Sequence, residues 1–260
     1  MKQNIPLPKL LEIGVKNKQL SQFLCKYRTI DSAKKLLENN SLWFSSPKEF
    51  NDPFDCQIVP DTNNTREEIA EFIKKNTFEQ LSDEVINDLS TIVFNEPNRW
   101  KDTIESTFDK IINSTGICCF TLNEQNLLMW SHYTDSHKGI CLKFDILKDP
   151  NFFVYPLPVN YSQDYPIYNH LGNRETIVKD MVLTKSLDWE YEGEIRVLKM
   201  NKNGLIPFKK ESLVEIIFGC NTSPKDIAEI IELSNKNHFD VRFKKAEKMQ
   251  REFGLEIIDL

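Results

Sequence analysis

Two histidines five residues apart, a late row of carboxylates and an early arginine are the side chains of this sequence with chemistry to offer. The carboxylates lie in KSLDWEYEGEIRVLK, residues 185–199. Read as a strand from Glu192 to Leu198, this segment puts Glu192, Glu194, Arg196 and Leu198 on one side and Gly193, Ile195 and Val197 on the other. Such a row is either a surface ladder paired across a sheet or a rigid catalytic floor. His132 and His137 do not share a face of one helix, which argues against a two-histidine metal clamp. Each could still exchange a proton near neutral pH or simply be a hydrogen-bonded structural residue. No metal is expected, because the six cysteines lack CxxC spacing.

The histidines belong to the densest stretch of the chain, NLLMWSHYTDSHKGICLKF, from Asn126 to Phe144. If Asn126 to Tyr133 is helical, Asn126, Trp130 and Tyr133 share a polar-aromatic face. Asn123, Glu124 and Gln125 would cap that helix. Thr134 to Lys138 then turns into a half-buried strand from Gly139 to Phe144. For Trp130 and Trp189 the alternative role is core packing. A second site-like stretch is the loop SPKEFNDPFDC, where Ser45, Ser46, Asn51 and Asp52 stand among Phe50 and Phe54. It reads equally as an Asn-Asp-Pro turn pinned by two phenylalanines.

The remaining elements must position these groups. Phe23 to Tyr27 reads as a strand ending in Lys26, Tyr27 and Arg28. A helix over Ser32 to Glu38 follows, capped by Thr29 or Asp31, and Ser41 to Ser45 is a short strand. Residues 65–113 carry apolar residues three and four apart, predicting two or three amphipathic helices inserted into the fold. Gly116 to Thr121 is a buried strand. Residues 152–161 form a proline-interrupted edge strand, and a helix is expected over Glu175 to Leu183. Strand, helix (Ser223 with Pro224 at its first position), strand and strand complete the chain. The fold class is α+β, a central mixed or antiparallel sheet with a helical insertion, in one domain spanning residues 1–260.

Composition bounds the function. At 260 residues, with 40% apolar and 28% charged residues, the chain is an ordinary globular protein. A net charge of -6 gives no global electrostatic reason to bind nucleic acid or an anionic membrane. No run approaches the roughly 18 apolar residues of a membrane helix. The N-terminal stretch has no signal-peptide pattern and the thiols suit a reducing compartment, so a cytoplasmic protein is expected.

Several motifs act together: KYR at Lys26–Arg28, SLWFSSPKEFNDPFD at Ser41–Asp55, CFT with LMWSHYTDSHKGICLKF, VNY at Val159–Tyr161, and K(x3)WEYEGEIR at Lys185–Arg196. In this order they resemble the bacterial family catalogued as domain of unknown function 2971, which carries no activity with it. The layout also resembles the ADP-ribosyltransferase plan, although its serine-threonine-serine triplet is absent. That resemblance implies a split sheet holding NAD. By position, Arg28 would grip ribose or pyrophosphate, Ser45 or Ser46 would take the second-strand role, and Tyr133 with Trp130 would hold the nicotinamide. Tyr27 and Asn51 complete the cofactor-binding set. Glu194 or Glu192 would contact the nicotinamide ribose, with His132 beside them as a further catalytic candidate. A carboxylate there suits the oxocarbenium charge of glycosidic cleavage.

Three functions follow: an NAD-consuming ADP-ribosyltransferase-like toxin or defence effector, a metal-independent nuclease or hydrolase using His132, His137 and a carboxylate, or a non-catalytic ligand-sensing or interaction domain. The expected partners are a nucleotide or dinucleotide and a macromolecular acceptor, with no membrane.

Overall fold

The computed structural model describes residues 6–77, 81–169, 171 and 177–260. They fall into two compact units. The first combines the chain up to Ser46 with Thr115–Val159 and Asp188–Leu260, and the second combines Pro47–Ser114 with Asn160–Leu187.

The first unit is built on one eight-stranded sheet. Across it the order is Leu255–Asp259, Arg242–Lys248, Leu213–Phe218, Ile140–Asp145, Phe23–Arg28, Gly116–Thr121, Glu194–Lys199 and Leu157–Pro158. Neighbours are antiparallel except Leu213–Phe218 with Arg242–Lys248, which are parallel. The helix Pro224–Lys236 connects that pair, as a parallel pair requires a crossover. The sheet is therefore the mixed, mainly antiparallel one the sequence predicts; of the proline-interrupted stretch 152–161 only Leu157–Pro158 forms its edge strand, and Asn160 and Tyr161 pair instead with Thr184 and Lys185.

One junction is weak. Phe23–Arg28 pairs with Ile140–Asp145 over six residues, but its ladder with Gly116–Thr121 is registered at Cys25 and Thr121 alone. Where the ladder opens, the Lys26 ammonium donates to the Cys119 carbonyl at 2.6 Å. A buried carbonyl needs some donor, and this lysine supplies one from inside the core. Burial and the nearby Arg28 charge depress its pKa.

Strand alternation divides the sheet into two faces. Leu24, Leu142, Phe144, Cys118, Phe120, Ile195, Val197, Ile216 and Phe218 point into the larger core, under the helices Ile30–Asn39 and Pro224–Lys236. Phe120, Phe144, Phe152, Phe153 and Phe208 interlock there edge to face or tilted, with centroids 4.8 to 6.0 Å apart. Each buried ring contributes on the order of 1.5–3 kcal/mol by leaving water. The opposite face carries Cys25, Tyr27, Cys141 and Ile217, against Met129 and Trp130 of the helix Leu127–Tyr133. The helix Ile30–Asn39 starts at Thr29, whose hydroxyl accepts from the Ser32 amide, and ends at the left-handed Asn40.

The second unit holds the helices Arg66–Asn76, Asp83–Asn95 and Pro97–Ser114. The first opens with a reciprocal Thr65–Glu68 capping box and the second with a Ser82 cap. Two short parallel pairs, Val59–Asp61 with Ile167–Asn169 and Asn160–Ser162 with Thr184–Ser186, complete it. The helix expected from Glu175 begins among the described residues at Ile177, and Glu175 and Thr176 lie outside them. Among the described residues no helix is long and apolar enough to cross a membrane.

Candidate functional site

The second face of the sheet carries the chemistry. The helix Leu127–Tyr133 begins at Asn126, whose side-chain carbonyl accepts from the Leu128 and Met129 amides. Asn126 is therefore the cap, not a member of a side-chain face with Trp130 and Tyr133, and the three residues before it are not the cap. Its amide nitrogen donates to the Tyr191 carbonyl at 2.5 Å, tying the helix start to the segment that bears the acids.

That segment differs from the expected row. The strand runs Glu194–Lys199, and Glu192 ends a 3-10 helix, Leu187–Glu192. Between them Gly193 sits at φ 50, a left-handed conformation that suits a residue without Cβ. This break removes Glu192 from the alternation and sends its carboxylate elsewhere. The Tyr133 hydroxyl donates to Glu192 Oε1 at 2.5 Å, and the Thr121 hydroxyl donates to the Glu192 carbonyl at 2.6 Å. Burial, then the bond to Glu192, push the Tyr133 phenol far above its ordinary pKa.

Glu194 and Arg196 do share a strand face, and both are buried, at 4% and 0% exposure. They are not a surface ladder. The guanidinium makes a forked contact, Nε to Oε1 at 2.8 Å and a terminal nitrogen to Oε2 at 3.2 Å. Antiparallel register sets Thr121 opposite Glu194 and Cys119 opposite Arg196, so these four side chains share a face. Burial, followed by Glu194, pushes the Cys119 thiol well above its usual pKa.

The aromatic surround is graded in burial. Trp130 is fully buried, donates through Nε1 to the Glu124 carbonyl, and meets Tyr27 edge to face at 5.0 Å. Tyr27 is buried as well, its hydroxyl on the Asn123 carbonyl. Both rings are core. Tyr133, Tyr191 and Trp189 are half-buried and His132 is exposed. His132 Nδ1 lies 3.0 Å from the Tyr191 hydroxyl, its ring edge-on to Tyr191, and Trp189 leans on Tyr191 at 6.1 Å. These are the groups that could meet a ligand beside Glu192.

Tyr133, Glu192 and Glu194 thus come together, Tyr133 and Tyr191 pack on the cluster that holds Tyr27 and Trp130, and His132 joins them through Tyr191. Arg28 does not join them. Alternation sets it with Lys26, on the face opposite Tyr27, and among the described residues it makes no ion pair with Glu192 or Glu194. Ser45 bridges Ile117, four residues along the strand from Thr121, or about 13 Å. Ser46 follows it and is buried. Asn51 is exposed in the other compact unit. His137 stacks on Trp130, with different partners from His132. Among the described residues no three His, Cys, Asp or Glu side chains converge as metal ligands would. Sequence reasoning missed Thr121 and Tyr191. A hydroxyl in a buried strand was the signal for the first, and a second aromatic inside WEYEGE, two residues after Trp189, was the signal for the second.

Residues 129–197, which span the helix, its turn and the acidic segment, match the model of a family described as protein of unknown function (DUF2971). Over those residues the chain is similar to that family. The matched segment contains Tyr133, Tyr191, Glu192, Glu194 and Arg196, and it stops before the Leu213–Phe218 strand. No curated protein and no solved structure matches the chain.

Proposed function

We propose that this protein is an NAD-consuming, ADP-ribosyltransferase-like enzyme in which Glu192 acts on the nicotinamide end of the dinucleotide. One observation carries the reading: a buried carboxylate held by the Tyr133 hydroxyl at 2.5 Å, beside the partly open rings of Tyr191, Trp189 and His132. Aromatic faces and carboxylates attract a planar cation, and the nicotinamide ring of NAD is one. When its bond to ribose breaks, the electron pair returns to the ring nitrogen and neutral nicotinamide leaves. The ribosyl carbon is left with oxocarbenium charge, which Glu192 stabilises until an acceptor nucleophile attacks and releases its proton to solvent. The acceptor we propose is macromolecular, in keeping with a toxin or defence effector. Arg28 and Ser45 have no role here, and the pyrophosphate is left to other residues.

Nicotinamide release from NAD tests the proposal. Wild type should release it, and Glu192→Gln, which keeps shape and removes charge, should lose about 10²–10³-fold. NAD should also raise the melting temperature of the wild type. No release together with no thermal shift would overturn the reading. Metal-independent RNA or DNA cleavage lost in His132→Gln would then establish the hydrolase alternative instead.

A further inference from the structure

Apart from the acidic site, the first unit contains a pocket of about 580 Å³, a size that fits a small ligand. Its walls are Leu127, His137, Cys220, Asn221 and the hairpin turn from Lys248 to Leu255. Beside it the backbone is unusual. Asp135, Ser136 and His137 stand consecutively at φ 50, 59 and 66, a left-handed turn made without a single glycine. Each of the three is disfavoured, and strain of this kind persists only where surrounding structure fixes it.

The fixation is visible. The His137 amide donates to the Trp130 carbonyl and the Ser136 amide to that of Ser131. The Asn221 side chain donates to the Ser136 carbonyl at 3.1 Å, and the Asn221 amide to the His137 carbonyl at 3.0 Å. Gly219 permits the approach, because an added Cβ would lie 2.1 Å from the His137 carbonyl oxygen. The result is an imidazole held parallel to Trp130, centroids 6.4 Å apart, whose buried Nδ1 has no hydrogen-bond partner among the described residues. Facing it, the hairpin turn exposes Lys248 and Arg251, and Phe253 is wholly in solvent at 103%. An apolar wall of Leu127, Met249 and Leu255 runs between.

We infer that this pocket binds an anion with a planar aromatic body, the anionic group on Lys248 and Arg251 and the ring against Phe253 and the apolar wall. A single exposed aromatic means little. Here it lines one pocket with Lys248, Arg251 and the Glu252 carboxylate, beside a left-handed turn and an imidazole nitrogen without a hydrogen-bond partner among the described residues. A phosphate or a carboxylate could supply the charge, so two probes separate them: adenosine 5′-monophosphate and 4-hydroxybenzoate.

Titration calorimetry and the histidine imidazole resonances read the outcome. At least one probe should bind and move the His137 signals while leaving those of His238 in place. Arg251→Gln should weaken that binding about tenfold, the loss of one charge-assisted hydrogen bond, and Phe253→Ala should weaken it several-fold. Both side chains are exposed, so melting temperatures should stay unchanged. If neither probe moves the His137 resonances, or if binding survives both substitutions undiminished, the inference fails. Neither substitution touches Glu192 or Tyr133, so nicotinamide release reports on the other site independently.

Discussion

The two faces of the eight-stranded sheet are made by the same strands from alternate residues, yet they are held by different physics. On one face Phe120, Phe144 and Phe153 pack against one another and against aliphatic neighbours, with Lys26 over the Phe120 ring as the polar exception, and the stabilisation is chiefly burial and shape. On the other, Thr121, Glu194 and Arg196 are just as dry but depend on partners for every polar atom. The apolar face loses contacts and gains a cavity when a ring is cut back, but no polar group is stranded. The polar face cannot lose one partner without stranding another, and only this face grades outward into half-buried Tyr133, Tyr191 and Trp189. A fold needs one face of the first kind to exist, and a site of the second kind to act.

Substitutions that remove one member from each face should expose this difference. Arg196→Met leaves the Glu194 carboxylate buried without its guanidinium and should cost about 3–5 kcal/mol in urea unfolding. Adding Glu194→Leu should recover most of that loss, to within about 1–2 kcal/mol of wild type, because a buried pair can be replaced by apolar groups. Phe144→Ala should cost about 3–5 kcal/mol through transfer and cavity, with no such second-site recovery. If the double substitution is no better than Arg196→Met, the pair is not what holds that face.

Tyr133→Phe removes the donor to Glu192 and should cost about 1–3 kcal/mol, while lowering nicotinamide release more than it lowers stability. The smallest effect concerns pH. Burial, with Lys248 nearby, depresses the His137 pKa below 6.5 in the folded chain. The unfolded chain therefore binds the proton more readily, and stability should fall as pH drops from 6.5 towards the folded value. His137→Gln should flatten the urea midpoint across that window. A midpoint equally steep in both proteins would place the titration elsewhere.

Much of this was legible in the residues. The short unbroken apolar run GICCFT and the period-two alternation of Ile140, Leu142 and Phe144 located strands, and the periodicity of residues 65–113 announced its helices. The acid row was misread at one residue. Alternation assumes an unbroken strand, and Gly193 at positive φ breaks it, so the glycine itself was the available warning. Arg28 could have been set apart by the same rule, since it cannot share a strand face with its neighbour Tyr27. Ser45 could not, because its place depends on a bridge to Ile117, 72 positions away by number, that no local pattern encodes. The pairing of Val59–Asp61 with Ile167–Asn169 was hidden for the same reason.

The most direct test compares Glu192→Gln with Glu194→Gln for nicotinamide release from NAD, normalised to the folded fraction of each. The account predicts that Glu192→Gln keeps its stability and loses release, whereas Glu194→Gln unfolds more easily but turns over normally per folded molecule. Undiminished release by folded Glu192→Gln would contradict it.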